Sequence, residues 1–282
     1  ASKRYSHAEG KSTTASGDES HAEGYNTTAS GTYSHAEGYY TTASSYQHVG
    51  GKYNVDTAGP SSSSASSGGS IFIIGKGTSN SARSNAFRIA TTGAVYGNGA
   101  YNTSGADYAE YFEWKDKNTD NQDRVGLFVT LDGEHIRIAN SDDDYILGVV
   151  SATPSVIGDS YFGDNWHGMY ETDIFGRPII ETVHVEEYID EETGEIVPAH
   201  DEDRWVLNPD WNHEQEYRSR EDRSEWSAIG MLGKLIVIDD GTCEVNGYCK
   251  VADNGIATKS DDKSGYRVMA RLDDTHIKIL FR

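Results

Sequence analysis

The sequence predicts a mainly β protein: a narrow stalk of stacked fourteen-residue coils, followed by a β-rich, acidic domain with little helix. Three observations predict it. Alanine and glycine recur on a seven-residue beat through the first 45 residues, the acidic excess falls entirely behind that repeat, and the later chain alternates short apolar runs with Gly, Asp and Asn turns.

The repeat comes first. Ala8, Ala15, Ala22, Ala29, Ala36 and Ala43 are evenly spaced, and Gly10, Gly17, Gly24, Gly31 and Gly38 each follow an alanine by two positions. The pair before each alanine alternates between Ser-His and Thr-Thr, so the true unit is SHAEGxxTTASGxx. A seven-residue beat suggests a coiled coil, but that seam needs two large apolar residues per heptad, and a glycine inside a helix costs about 1 kcal/mol. Ser, Thr, His and Tyr punctuated by Gly fit short strands and tight turns instead, two strands per coil, with alanine packed inside and successive SHAEG segments about 4.8 Å apart. Tyr46–Gly51 (YQHVGG) reads as a degenerate last coil. An alanine lining buries too little apolar surface to stand alone, so neighbouring chains must supply the rest, and a homotrimer is the simplest supply. His7, His21 and His35 form a column that suits either a metal or glycan contact or an exposed hydrogen-bonding ladder. Tyr25, Tyr33, Tyr39 and Tyr40 could equally stack on sugars or cover the stalk.

Residues 59–70 (GPSSSSASSGGS) have linker composition. Ile71–Ile74 opens a second β stretch, and Ser84–Tyr101 reads as a collar hairpin. The division is therefore a stalk over 1–58, a linker over 59–70, a collar over 71–106 and a second domain over 107–282.

Seven of the 24 basic and six of the 45 acidic residues precede Asp107, leaving 17 against 39 behind it. Such a field repels nucleic acid and anionic membrane surfaces. No run approaches the roughly 18 apolar residues of a membrane span, and the start has no apolar signal region, although the chain opens inside a repeat and a body can precede it. Within 107–282, strands are predicted at Val125–Leu131, His135–Ile138, Tyr145–Val150, Ile229–Ile238 and Ile277–Phe281. A hairpin over Glu181–Ala199 and a short helix around His213–Arg223 complete the reading. Cys243 and Cys249 flank a Gly-containing turn, as two reduced thiols or a small hairpin disulfide. Asp142, Asp143 and Asp144 lack EF-hand spacing and no metal is predicted. No GxxxxGK[ST] loop occurs, so ATP has no motif.

One segment carries candidate chemistry: Asn102–Trp114, NTSGADYAEYFEW. Ser104, Gly105 and Ala106 let the backbone bend and expose a peptide bond, and Asp107, Glu110 and Glu113 follow directly. Amide hydrolysis needs a base for water and an acid for the departing nitrogen, and two carboxylates of split pKa supply both. Glu110 is the candidate base, with Asp107 or Glu113 as its partner. The alternative is an amphipathic segment whose polar side is Glu110 and Glu113 and whose packing side is Tyr108, Tyr111, Phe112 and Trp114.

Two resemblances attach to these residues. The SxAxG pattern from Ser6 to about Gly51 resembles the left-handed β-roll heads of trimeric autotransporter adhesins and of some phage fibres, although no C-terminal amphipathic strands for a membrane anchor follow it. NTSGADYAEYFEW, with DRVGLFVTLDGEHIRIA, DYILGVVSATPSVIGD, EWSAIGMLGKLIVIDDGTC and YRVMARLDDTHIKILFR, is similar to the C-terminal intramolecular chaperone and autoprocessing domain of phage neck-appendage and tail-spike proteins, a G2-like glutamic peptidase. That resemblance implies a domain that trimerises the chain and then cuts itself off in cis, once, just before Asp-Tyr-Ala-Glu, hence between Ala106 and Asp107. It implies a virion location after assembly in the host cytoplasm, or alternatively a bacterial cell surface, and ATP is associated with some relatives. The family pattern has a hydroxyl residue before that Asp; Ala106 stands here with Ser104 two residues earlier, which keeps open both a cut at Ser104–Gly105 and an attack by Ser104 itself. The runner-up function is a head that binds a host glycan or protein without proteolysis. A glycan-degrading enzyme has least support, since the stalk carries no paired carboxylates.

Overall fold

The computed structural model describes residues 1–57, 69–160, 168–190, 194, 196–212, 214, 216 and 218–282. They form two compact units, Ala1–Asn102 and Thr103–Arg282. The linker expected over 59–70 lies outside the described residues except for Gly69 and Ser70, and Ser70 already belongs to a strand.

In unit 1 each of the first three coils contributes a five-residue and a two-residue strand: β1 (His7–Lys11) and β2 (Thr14–Ala15), β3 (His21–Tyr25) and β4 (Thr28–Ala29), β5 (His35–Tyr39) and β6 (Thr42–Ala43). Equivalent residues of successive coils pair in parallel, His7 with His21 and His21 with His35, Ala15 with Ala29 and Ala29 with Ala43. β7 (His48–Lys52) continues the ladder one residue short, with His48 opposite His35, so the degenerate last coil is a full member of the stack. β8 (Ser70–Lys76) adds a further parallel strand to β7, which differs from a collar that begins afresh at residue 71. β9 (Asn85–Ala90) and β10 (Val95–Gly97) then close the sheet as the antiparallel hairpin read from the sequence.

The core of this unit is a file of fully buried side chains, Ala15, Ala22, Ala29, Ala36 and Ala43, ending on Val49 and Ile73. Its glycines follow from the spacing of the coils. Gly24 has φ +106°, and a Cβ there would lie inside 3.0 Å of the Gly38 carbonyl oxygen, so only hydrogen fits between the ladders. The histidine column gains His48, with ring centroids 4.9, 4.7 and 4.6 Å apart from His7 to His48. The tyrosines stack on one another, Tyr25 on Tyr39 at 5.2 Å, Tyr33 on Tyr46 at 5.4 Å and Tyr40 on Tyr53 at 4.9 Å.

Unit 2 is built on one large sheet. β11 (Asp107–Glu113), β12 (Phe128–Asp132), β13 (His135–Ile138), β14 (Gly148–Val150) and β15 (Val156–Gly158) come before an excursion, and β20 (Trp226–Ile238), β21 (Tyr248–Val251), β22 (Ala257–Ser260), β23 (Tyr266–Arg271) and β24 (His276–Phe281) follow it. The order is β13-β12-β14-β20-β24-β23-β21-β22, with β11 paired to both β20 and β15. β24 alternates partly buried and buried side chains and sends Ile277, Ile279 and Phe281 into a core with Phe128, Val149 and Val237. Cys243 and Cys249 are free thiols in that core. Two expected strands start late: Val125 is exposed and the chain turns at Val125–Gly126 before β12, and β14 begins only at Gly148.

The excursion contains a hairpin longer than the one expected over Glu181–Ala199, made of β16 (Ile180–Val185) on β19 (His200–Trp205), which lies beyond that range, and β17 (Tyr188–Ile189) on β18 (Ile196–Val197). Its turn at 191–193 and 195 lies outside the described residues. The helix expected around His213–Arg223 is a correction: 213, 215 and 217 are outside the described residues, and 218–223 is turn and bend. Ser219 and Asp222 bond to each other's backbone and side chain, Ser219 Oγ donating to Asp222 Oδ2 at 2.7 Å, a local pattern that competes with helix. Among the described residues no helix is long and apolar enough to cross a membrane.

Candidate active site

The alternating pattern of DYAEYFE makes Asp107–Glu113 a strand, with Asp107, Ala109 and Tyr111 buried and Tyr108 exposed on the other side. The packing side expected of this segment is thereby split, since Trp114 is fully buried while Tyr108 faces outward. β11 lies between β20, antiparallel, and β15, parallel. Immediately upstream the backbone is held on both sides. Gly105 backs onto the Pro154–Ser155 segment, where a Cβ would stand 2.6 Å from Ser155 N. Thr103 Oγ1 donates to Ser155 Oγ at 2.7 Å, and Ser155 N–H donates to the Asp107 carbonyl at 2.8 Å. Lys234 N–H donates to the Ala106 carbonyl at 3.3 Å. Ser104 and Ala106 are exposed, and Ser104 to Asp107 line a cleft of about 340 Å³ closed by Ser151–Thr153 and the Lys234 and Lys278 side chains.

The three candidate carboxylates have different surroundings. Asp107 is 6% exposed, and its Oδ2 has no hydrogen-bond partner among the described residues. That oxygen occupies space left by Gly230, where a Cβ would lie 2.7 Å away. Glu110 lies on the opposite side of the strand over Gly158 and accepts a hydrogen bond from the Tyr108 hydroxyl, a bond that raises the Tyr108 pKa, with burial adding to it. Glu113 is engaged by Lys117 Nζ at 2.6 Å and faces His135 Nε2 at 3.4 Å. Glu110 and Glu113 border one shallow pocket of about 270 Å³ with Glu134, His135 and Asp159. The structure therefore does not join Asp107 to Glu110 as a proton-sharing pair. It leaves Asp107 as the carboxyl beside the Ala106–Asp107 peptide.

Residues that the sequence reading passed over are Gly230, Gly233, Lys234 and Ser155. A signal for two of them was present: the two glycines inside the apolar run Ile229–Ile238 mark close backbone approach rather than a turn. Elsewhere Asp143 is held by Arg137 in a two-point pair at 2.5 and 2.9 Å.

Residues 52–273 match Peptidase_G2, the IMC autoproteolytic cleavage domain. The chain is 40% identical over 174 residues to the putative phage-related protein YobO of Bacillus subtilis (strain 168), covering 61% of this chain and 19% of that protein. It is 36% identical over 157 residues to the pre-neck appendage protein of Bacillus phage B103, covering 55% and 16%. The crystal structure of the pre-mature bacteriophage phi29 gene product 12 superposes with a TM-score of 0.66 at 20% identity, over 99% of this chain and 32% of that one, a likeness of fold. The chain spans less than a fifth of the length of the curated relatives it matches.

Proposed function

The chain belongs to the Peptidase_G2 family of IMC autoproteolytic cleavage domains, and on that premise we propose that it cuts its own backbone once, between Ala106 and Asp107, separating the acidic unit from a trimeric stalk of a phage neck appendage. The observation that carries this reading is the position of that peptide: Ala106 exposed at a cleft, Asp107 buried with a free carboxyl oxygen, and the carbonyl between them held by β20.

Water adds to the Ala106 carbonyl carbon, the C–N bond to Asp107 breaks, and one proton leaves the water while another reaches the departing nitrogen. Asp107 supplies the proton to its own nitrogen. A strand rises about 3.3 Å per residue, so Glu110 stands about 10 Å along β11 from Asp107. Glu110, oriented by Tyr108, accordingly acts as base through intervening water rather than by contact. It faces the other side of the strand, which suits addition from one face of the peptide and protonation of nitrogen on the other. Assembly is supported by uncovered apolar side chains on the hairpin arm, Ile189, Ile196 and Ile180 being 65, 64 and 58% exposed, which neighbouring copies would cover. The stalk's exposed Tyr33 and Tyr39 would face a host glycan or protein.

A denaturing gel tests the cut. The 30.9 kDa chain should give fragments of about 11 and 20 kDa, at roughly 110 Da per residue, the larger beginning at Asp107. Asp107→Asn and Glu110→Gln should each leave the chain intact. A wild-type chain that stays whole after long incubation refutes the reading, and normal cutting in Glu110→Gln removes Glu110 from it.

A further inference from the structure

The geometry of β20 points to a specific donor for this reaction: we infer that the backbone N–H of Lys234, presented by the bulge between Gly230 and Gly233, is the oxyanion donor for the Ala106 carbonyl. The inference rests on the cut at Ala106–Asp107.

Three observations converge on it. β20 carries one residue more than β11 between the pairs Tyr108–Leu232 and Ala109–Gly230, so Met231 bulges out and the strand turns its next amides toward the start of β11. Gly233 has φ +125°, and a Cβ there would fall inside 3.0 Å of the Ala106 oxygen and 2.9 Å from Asp107 Cα. The missing side chain is what lets that oxygen sit against the strand. Gly230 does the same for the other reacting group, clearing the volume that Asp107 Oδ2 fills. Two glycines thus open space on both sides of one peptide bond. A glycine inside a strand costs about 0.5–1 kcal/mol relative to alanine, and the two within four residues of the thirteen-residue strand that joins β11, β14 and β24 make room for the Ala106 oxygen at Gly233 and for Asp107 Oδ2 beside the core residue Leu235 at Gly230.

The bond length supplies the catalytic argument. Lys234 N to Ala106 O is 3.3 Å, whereas ordinary amide bonds cluster near 2.9–3.0 Å. A loose bond in the ground state that tightens as the oxygen gains negative charge stabilises the transition state more than the intact peptide, the condition for raising rate. Ser155 N–H, holding the Asp107 carbonyl at 2.8 Å, keeps the departing strand still meanwhile. A ladder hydrogen bond with no catalytic role predicts no change in rate when the donor is removed from a folded chain. Lys234 and Lys278 line the same cleft, and their side-chain ammonium groups are the rival donors to be tested.

The test uses the full chain made by cell-free translation, with the α-hydroxy analogue of lysine at 234, which replaces that one N–H by oxygen and keeps the side chain. Self-cleavage should slow by about 10²–10³-fold, the usual loss for one oxyanion donor, and by far more than in Lys234→Ala, which retains the N–H. Gly233→Ala, which displaces the carbonyl and removes no donor, should slow cutting similarly while its far-ultraviolet spectrum stays native. If the ester chain cuts at the wild-type rate, the inference is wrong; if Lys234→Ala loses as much as the ester, the ammonium is the donor and the inference is equally wrong. The N-terminus of the released fragment separates the two levels. Asp107 there with an indifferent ester overturns the donor alone, whereas another residue there overturns the cleavage site itself.

Discussion

Four glycine-to-alanine substitutions in unit 1 separate the two reasons a glycine can be required, and together they test whether the fourteen-residue beat is set by contact between coils. Gly97 has neither a left-handed φ nor any atom within 4 Å of a built Cβ; Gly93 has φ +82° and open space; Gly17 has an ordinary φ, but its Cβ would sit inside 3.0 Å of the Gly31 carbonyl; Gly24 has both φ +106° and the clash with Gly38. Gly97→Ala should be neutral or should gain about 0.4–1 kcal/mol through the unfolded chain. Gly93→Ala should lose about 1–3 kcal/mol from backbone strain. Gly17→Ala should lose about 1–3 kcal/mol from overpacking, toward the upper end because the opposing atoms are backbone and cannot rotate away. Gly24→Ala carries both costs, about 2–6 kcal/mol. At about 4–8 °C per kcal/mol for a unit of this size, calorimetry should show the unit 1 transition of Gly24→Ala at least about 8 °C below wild type. If Gly24→Ala melts with Gly93→Ala, the clash costs nothing and the coils are not stacked as described.

Three further outcomes follow from ionisable groups. His35 sits below the usual imidazole pKa, first because of burial and then because of His48 and His21, with Glu37 and Glu23 pulling it back in part. The folded state therefore binds that proton less readily than the unfolded chain, whose value is about 6.5, so stability is intact above that pH and falls as pH drops through it. Unit 1 should melt lower at pH 5 than at pH 7.5, and His35→Gln should flatten the difference; a rise in acid would sink the argument. Burial alone would raise the Asp239 carboxyl, but Arg271, at 2.9 and 3.1 Å, holds it below its ordinary value. Arg271→Ala should lower the urea midpoint, and by more than a double change of both partners to leucine. Burial pushes Cys249 up to about 12 and Cys243 higher still, so neither thiol should react with a disulfide reagent at pH 8 until the chain is unfolded. One fast thiol in the native state would show that the core is open.

The repeat was legible because each coil restates the same local rule, and the Ala file, the Gly column and the His column each recur where the spacing puts them. β24 was legible for a similar reason, its apolar residues alternating with polar ones over six positions. The pairing of β11 with β20 was not, because it joins Asp107 to Gly233 across more than a hundred residues and no local pattern encodes a partner. The opposite sides of the strand taken by Asp107 and Glu110 were hidden at the same level. Spacing three apart suggested proximity, but in a strand odd spacings point to opposite faces. Around 213–223 charged and aromatic composition suggested a helix, and Ser219 and Asp222 instead satisfy each other locally.

A cut at Ala106–Asp107 falls four residues beyond the boundary between the compact units at Asn102 and Thr103. Those four residues, Thr103 to Ala106, would stay with the first fragment while still seated in unit 2. What then ties them is small: Thr103 to Ser155 at 2.7 Å and Lys234 to Ala106 at 3.3 Å, each worth about 0.5–1.5 kcal/mol net. Acting the other way is charge. The chain from Asp107 onward carries 17 basic against 39 acidic residues, so three copies held together by the proposed stalk repel one another, over a range of about 8 Å at physiological salt. An intact backbone makes that repulsion irrelevant, because the acidic units cannot leave. Once the peptide is cut, the covalent link no longer opposes it, and the same charge that keeps the unit soluble during assembly would favour its departure.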